Sequence, residues 1–97
     1  MIGAWKVDIK QITDVTEKSI SEDMESAINA EQQWEAEMYF NWAVGSLNLW
    51  RRLASATISQ NSDIPEWLEL NKYRDIAEEN FKKLVSTDRI PLLRIEE

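Results

Sequence analysis

The segment that decides the fold runs from Met38 to Trp50 and reads MYFNWAVGSLNLW. Wound into a helix, it presents apolar side chains on every side, in a protein whose formal net charge is -7. It is shorter than the about 20 apolar residues that a membrane-spanning helix needs. Because exposure of so much apolar surface to water is unfavourable, we expect other polypeptide to cover this segment. Either another part of the chain or a second chain must do so.

The composition excludes several kinds of site and points to oligomerisation. The chain has 97 residues, which suits one domain with a modest core. It has no cysteine and no histidine, so it cannot form disulfides, Cys/His zinc sites or a Ser-His-Asp triad from its own residues. We expect no cofactor. Association with a second chain is then the remaining way to bury more apolar surface.

Acidic and apolar residues occupy separate blocks of the sequence. Residues 8–37 carry nine acids and two lysines, whereas residues 38–62 carry no acid and only Arg51 and Arg52 as charges. An acidic protein is not expected to bind nucleic-acid phosphates directly, nor an anionic membrane. The first residues become charged at once, so no signal peptide is predicted. The absence of cysteine is compatible with the cytosol, and we expect a cytoplasmic protein.

Two glycines and two prolines in the whole chain favour long helices. Asp63 as N-cap, Pro65 in the first turn and Glu66 predict a helix over 63–86. Its apolar side chains recur at steps of three and four residues. They are Trp67, Leu70, Tyr73, Ala77, Phe81 and Leu84.

A long helix is predicted over residues 19–58, with Ser19 and Glu22 as a capping box. Its principal apolar stripe comprises Ile20, Met24, Ala27, Trp34, Met38, Trp42, Gly45, Leu49, Leu53 and Ala56. A second apolar face comprises Phe40, Ala43, Val44, Leu47, Ala54 and Ile58. Both continue in phase through Gly45, which therefore is expected to lie inside the helix.

The two ends of the chain are less clearly patterned. Residues 1–18 fit a strand, from the alternation of Trp5, Val7 and Ile9, or a helix, from the spacing of Ile2, Trp5, Ile9 and Ile12. Residues 59–62 are expected to form a loop and residues 87–97 a short tail. In that tail, Ile90 precedes Pro91 and is expected to be extended.

The fold expected from these elements is all-α: an antiparallel helical hairpin with short terminal segments. Two hairpins are expected to associate as a homodimer, forming a four-helix bundle. The predicted interface residues come from the centre of the long helix. They are Met38, Tyr39, Phe40, Trp42, Ala43, Val44, Leu47, Leu49, Trp50 and Arg51.

Four carboxylates on the two helices define a candidate metal site. If the helices pack antiparallel, Glu31, Glu35, Asp75 and Glu78 would converge on Mg²⁺, which prefers oxygen ligands. In this respect the chain resembles all-α nucleotide pyrophosphatases of the MazG type, which implies a Mg²⁺-dependent nucleotide hydrolase. The chain lacks their tandem EExxE motif and a basic group for phosphates. The competing interpretation is a solvated helix face.

The basic and aromatic residues favour protein contacts. Of Arg51 and Arg52, one is expected to lie along the apolar helix and pair with an acid of the other helix or of another chain. The five tryptophans fit core and interface positions better than base stacking, which requires a positive groove.

The sequence therefore predicts a non-enzymatic acidic interaction module: an adaptor, assembly factor or inhibitor that is oligomeric and has a possible second protein partner. One alternative is an acidic mimic of nucleic acid that occupies the basic groove of a nucleic-acid-binding protein. The other is the Mg²⁺-dependent hydrolase.

Overall fold

The computed structural model describes residues 8–60 and 63–94, and within them the chain is all-helical with no strand. This confirms the predicted all-α class. Three α-helices are followed by one turn of 3₁₀-helix. They are α1 (Ile9–Ile28), α2 (Gln33–Ser59), α3 (Ile64–Leu84) and the 3₁₀ turn (Thr87–Arg89).

The single helix predicted over 19–58 is wrong, because the chain reverses at residues 29–32. Asn29 ends α1 with φ near −91° and ψ near 2°, and Gln32 is extended before α2 begins. The predicted start is also wrong, since α1 begins at Ile9, where Asp8 caps it by accepting a hydrogen bond from the backbone of Lys10. Gly45 lies inside α2, as its flanking pattern predicts. Trp5 and Val7 lie outside the described residues.

Burial of apolar side chains explains the reversal. Folding α1 back on α2 fully buries Ile20 and Met24 of α1 together with Trp50 of α2. Each such side chain contributes roughly 1.5–3 kcal/mol when it is removed from water. A continuous helix would have left these residues exposed in the free chain, so tertiary burial outweighs the local preference for helix.

Side-chain contacts fix the directions of the helices. Trp50 Nε1 donates to Thr13 Oγ1 at 2.9 Å, and the hydroxyls of Ser19 and Ser46 lie 3.4 Å apart, so α1 runs antiparallel to α2. The ring of Trp50 meets Phe81 of α3 edge to face, with centroids 4.9 Å apart. All three helices therefore meet at the indole of Trp50.

The start of α3 and the tail follow their local sequence signals. Asp63 accepts a hydrogen bond from the backbone N–H of Glu66 at 3.2 Å, which confirms the predicted N-cap. α3 ends at Leu84, two residues before the predicted end, because Ser86 caps the 3₁₀ turn that follows. Ile90 is extended before its proline, as expected, and is fully buried in the core.

The molecule is elongated, with extents of 49 × 30 × 15 Å. Its radius of gyration is 16.0 Å, whereas a compact domain of this length has about 12.5 Å. Much of the chain therefore lies near the surface.

Candidate interaction surface

One side of α2 faces away from α1 and α3 and is largely apolar. We call it the outer face; it consists of Trp34, Met38, Trp42, Gly45, Leu49, Arg52, Leu53 and Ala56. Its largest side chains are strongly exposed: Trp34 by 64%, Trp42 by 53% and Leu49 by 57%. Residues at steps of three and four share one side of a helix, so these side chains form a continuous stripe.

The opposite side of α2 forms the core of the chain. Its buried residues follow the second apolar face of the sequence pattern, with Ala36 and Trp50 added. They are Ala36, Ala43, Leu47, Trp50, Ala54 and Ile58. The apolar segment around Trp42 is thus covered on one side by this chain itself.

The structure divides the ten predicted interface residues into three groups. Ala43, Leu47 and Trp50 are wrong as interface residues, because they are buried inside the chain. Trp42 and Leu49 lie on the outer face and are exposed. The other five are half-buried: Met38 belongs to the outer face, Tyr39 and Phe40 pack against the core, and Val44 and Arg51 lie between the two sides.

Sequence reasoning left Trp34 and Leu53 out of the interface, although both are exposed members of the outer face. Their spacing could have identified them, since Trp34 lies four residues before Met38 and Leu53 four after Leu49. The sequence-based prediction is limited to residues 38–50, the segment that is apolar on all sides, whereas the outer face extends from residue 34 to residue 56.

The two arginines of α2 have different surroundings. Arg51 Nε lies 3.2 Å from Glu78 Oε1 of α3, and its Nη1 donates to Asn48 Oδ1 at 3.0 Å. This confirms the expected pairing of one arginine with an acid of another helix. Arg52 is exposed on the outer face, and among the described residues no carboxylate pairs with it. It is available to a partner.

The four carboxylates proposed as a magnesium site do not converge. Glu78 of α3 contacts Arg51, so the two carboxylates that α3 would contribute, Asp75 and Glu78, lie beside the second half of α2. Glu35 precedes Arg51 by sixteen residues, or about 24 Å along a helix. Within residues 8–60 and 63–94, no three acidic side chains are grouped as metal ligands would be. The expected convergence is therefore wrong.

A small cleft lies between α1 and α3. It has a volume of about 120 Å³ and is bordered by Thr13, Asp14 and Glu17 on one side and by Tyr73 and Asn80 on the other. Sites for small molecules usually have about 300–1,000 Å³. The cleft is therefore smaller than a site for a nucleotide.

The acidic side of the molecule is formed mainly by α1. Asp14, Glu17, Glu22 and Glu25 are exposed there. Asp23 is half-buried, and burial raises the pKa of its carboxyl above the usual 3.8, with a further rise from the charge of Glu22. α1 thus presents negative charge on the side of the molecule away from the outer face.

Comparison with known proteins adds no assignment, since no family model, no curated protein and no solved structure matches this chain. None of the three helices in the described part of the chain combines the length and apolarity that a bilayer crossing requires. The geometry of the surface therefore carries the functional argument alone.

Proposed function

We propose that this chain is a non-enzymatic helical interaction module, of the adaptor, assembly-factor or inhibitor kind, that works as a homodimer. The outer face of α2 is its contact surface. The observation that carries the proposal is the exposure of Trp34, Trp42, Leu49 and Leu53 along one stripe of an otherwise acidic protein. Contiguous apolar patches of this kind mark sites of protein association.

The two tryptophans alone make the patch energetically significant. With 64% and 53% of their surfaces exposed, Trp34 and Trp42 present roughly 300 Å² to water. At about 25 cal/mol per Å², covering that area would contribute about 7 kcal/mol per chain before the costs of association. Tryptophans at the centre of interfaces are also the residues most often found to dominate binding.

Sedimentation equilibrium of the purified chain and of matched variants tests the proposal. We expect the wild type to form dimers and the double variant Trp42→Gln/Leu49→Gln to be monomeric, because polar side chains weaken the contact. The control is Val15→Gln, which changes an α1 side chain that is 69% exposed and should leave dimers intact. A wild type that stays monomeric at high concentration, or a double variant that still dimerises, would contradict the proposal.

A second candidate function has its own observation. No acid of α1 takes part in an ion pair with another described residue, so the charges of Asp14, Glu17, Glu22 and Glu25 are open to a basic partner. An acidic mimic of nucleic acid would use this surface. Its complex with a basic protein should weaken steeply with added salt, and an affinity insensitive to salt would exclude it.

A further inference from the structure

We infer that the partner on the outer face is a second copy of this chain, with its α2 antiparallel and crossing at Gly45. This inference rests on the proposed function and adds the orientation, the register and the residues that decide them. Three independent features of α2 support it.

The first feature is the symmetry of the outer face about Gly45. Trp34 and Ala56 lie eleven residues to either side of the glycine, and Met38 and Arg52 lie seven residues to either side. Trp42 lies three residues before it and Leu49 four after it. An antiparallel pairing centred on Gly45 therefore sets Trp34 opposite the partner's Ala56 and Met38 opposite the partner's Arg52. It also sets Trp42 within one residue of the position opposite the partner's Leu49.

The second feature is that the outer face has apolar residues along one edge and is bordered along the other edge by exposed polar residues. At 100° per residue, Trp42, Leu49 and Leu53 lie to one side of the line through Gly45, and Glu37, Asn41 and Asn48 to the other. A two-fold axis in the interface, perpendicular to α2, brings each edge against the same edge of the copy. Trp42 then meets the partner's Leu49, and Asn41 meets the partner's Asn48.

The third feature is the distribution of charge. Glu37 is an exposed acid at the beginning of α2, and Arg52 is an exposed base near its end, with no charged residue on the face between them. An antiparallel copy places Glu37 within one residue of the position opposite the partner's Arg52, and the two-fold axis forms this pair twice. A parallel copy would place each charge opposite its own kind, which is unfavourable.

Gly45 itself has no role inside the chain. A Cβ atom at this position would have nothing within 4 Å of it, and a glycine inside a helix lowers stability by about 1 kcal/mol relative to alanine. A small residue at the crossing point lets two helices approach closely.

Distances between spin labels test the orientation, and the absence of cysteine makes single attachment sites easy to introduce. Ser59 lies fourteen residues after Gly45 and is exposed. In the antiparallel dimer, labels on Ser59→Cys should be about 42 Å apart, from a rise of about 1.5 Å per residue. Labels less than about 20 Å apart would overturn the antiparallel inference while leaving dimerisation, and so the proposed function, intact.

Charge reversal tests the register. We expect Arg52→Glu alone to raise the dimer dissociation constant by at least about tenfold, because it faces the partner's Glu37. The double variant Glu37→Arg/Arg52→Glu should return to within about threefold of the wild type, since both opposite-charge pairs are restored. If the double variant binds no better than the single one, the register is wrong.

Gly45→Leu tests the crossing point. The site is open in the single chain, so the circular dichroism spectrum and thermal unfolding should show an intact helical fold, while sedimentation shows a monomer. The control, Ser21→Leu, adds the same side chain at an exposed position of α1 and should remain dimeric. A dimeric Gly45→Leu variant would overturn the crossing at Gly45, and a wild type that is monomeric at every concentration would overturn self-association altogether.

Discussion

Replacing Thr13 by valine tests the hydrogen bond that joins α1 to α2. Thr13 Oγ1 accepts from Trp50 Nε1 at 2.9 Å and donates to the carbonyl of Ile9 at 2.6 Å. Both side chains are buried, Trp50 completely. Valine has nearly the same shape but no acceptor, so the variant leaves a buried N–H without a partner. The carbonyl of Ile9 keeps its position in the helix and loses only a second donor.

The expected loss in the free energy of unfolding is about 1–3 kcal/mol, the cost of an unsatisfied buried donor. For 97 residues, about 2.1 cal/mol/K of unfolding entropy per residue makes 1 kcal/mol equal to about 5 °C in Tm. Urea unfolding followed by circular dichroism measures the loss. The protein concentration is kept the same for all variants, because the stability of an oligomer depends on concentration.

Thr13→Ser is the matched control, because it keeps the hydroxyl and removes only a methyl group. It should cost at most about 1 kcal/mol. In a Trp50→Phe background the valine substitution should lose most of its effect, because the donor is already absent. If Thr13→Val and Thr13→Ser unfold at the same urea concentration, the hydrogen bond does not stabilise the fold and the reasoning is refuted.

Three further predictions concern the core, an ion pair and pH. Phe81→Ala should lower the free energy of unfolding by about 3–5 kcal/mol, because Phe81 is buried. Trp34→Gln should change the free energy of unfolding of the single chain by less than about 0.5 kcal/mol, because Trp34 is exposed. Urea titration of both variants compares these losses. Glu78→Gln should cost no more than about 1 kcal/mol, because its pair with Arg51 is partly exposed, and the loss should shrink in 1 M salt. Asp23→Asn should raise Tm at pH 7, since the raised pKa means that the ionised carboxylate opposes folding; the gain should disappear as pH falls to the ordinary value of 3.8.

The elements that the sequence predicts correctly are those set by local chemistry. The N-cap at Asp63 depends on residues within one turn of it, and the extended backbone at Ile90 follows from a clash with Pro91 alone. Gly45 stays helical because apolar residues continue in phase on both sides of it. Each signal is complete within a few residues.

The reversal at residues 29–32 has no comparable signal. Gln32 occupies the N-cap of α2 without a side-chain hydrogen bond to the backbone. Ala27 and Trp34 are seven residues apart, or about two helical turns, so the apolar stripe appears continuous across the break. Only the long-range packing of α1 on Trp50 distinguishes two helices from one.

The same packing decides which side of α2 is available to a partner. Trp42 and Trp50 are both tryptophans of the segment that is apolar on all sides, so the sequence alone does not show which of them is buried. The sequence pattern predicts a helix that begins at residue 19 instead of Ile9, so it includes neither the hydrogen-bond acceptor at Thr13 nor the first turns of α1, which help to bury Trp50. The sequence therefore identifies the segment that must be covered, and only the fold identifies the side that remains open.

α3 also exposes apolar side chains, and its pattern explains why we assign the contact to α2. Ile64, Trp67, Leu68 and Ile76 are exposed, yet Glu69, Lys72 and Asp75 are exposed among them. Exposed apolar residues interspersed with charges are normal on monomers, and burying those charges would oppose association. The outer face of α2 has no charge between Glu37 and Arg52. A partner can therefore cover it without desolvating a charge except at its two ends, where opposite charges of an antiparallel copy would meet.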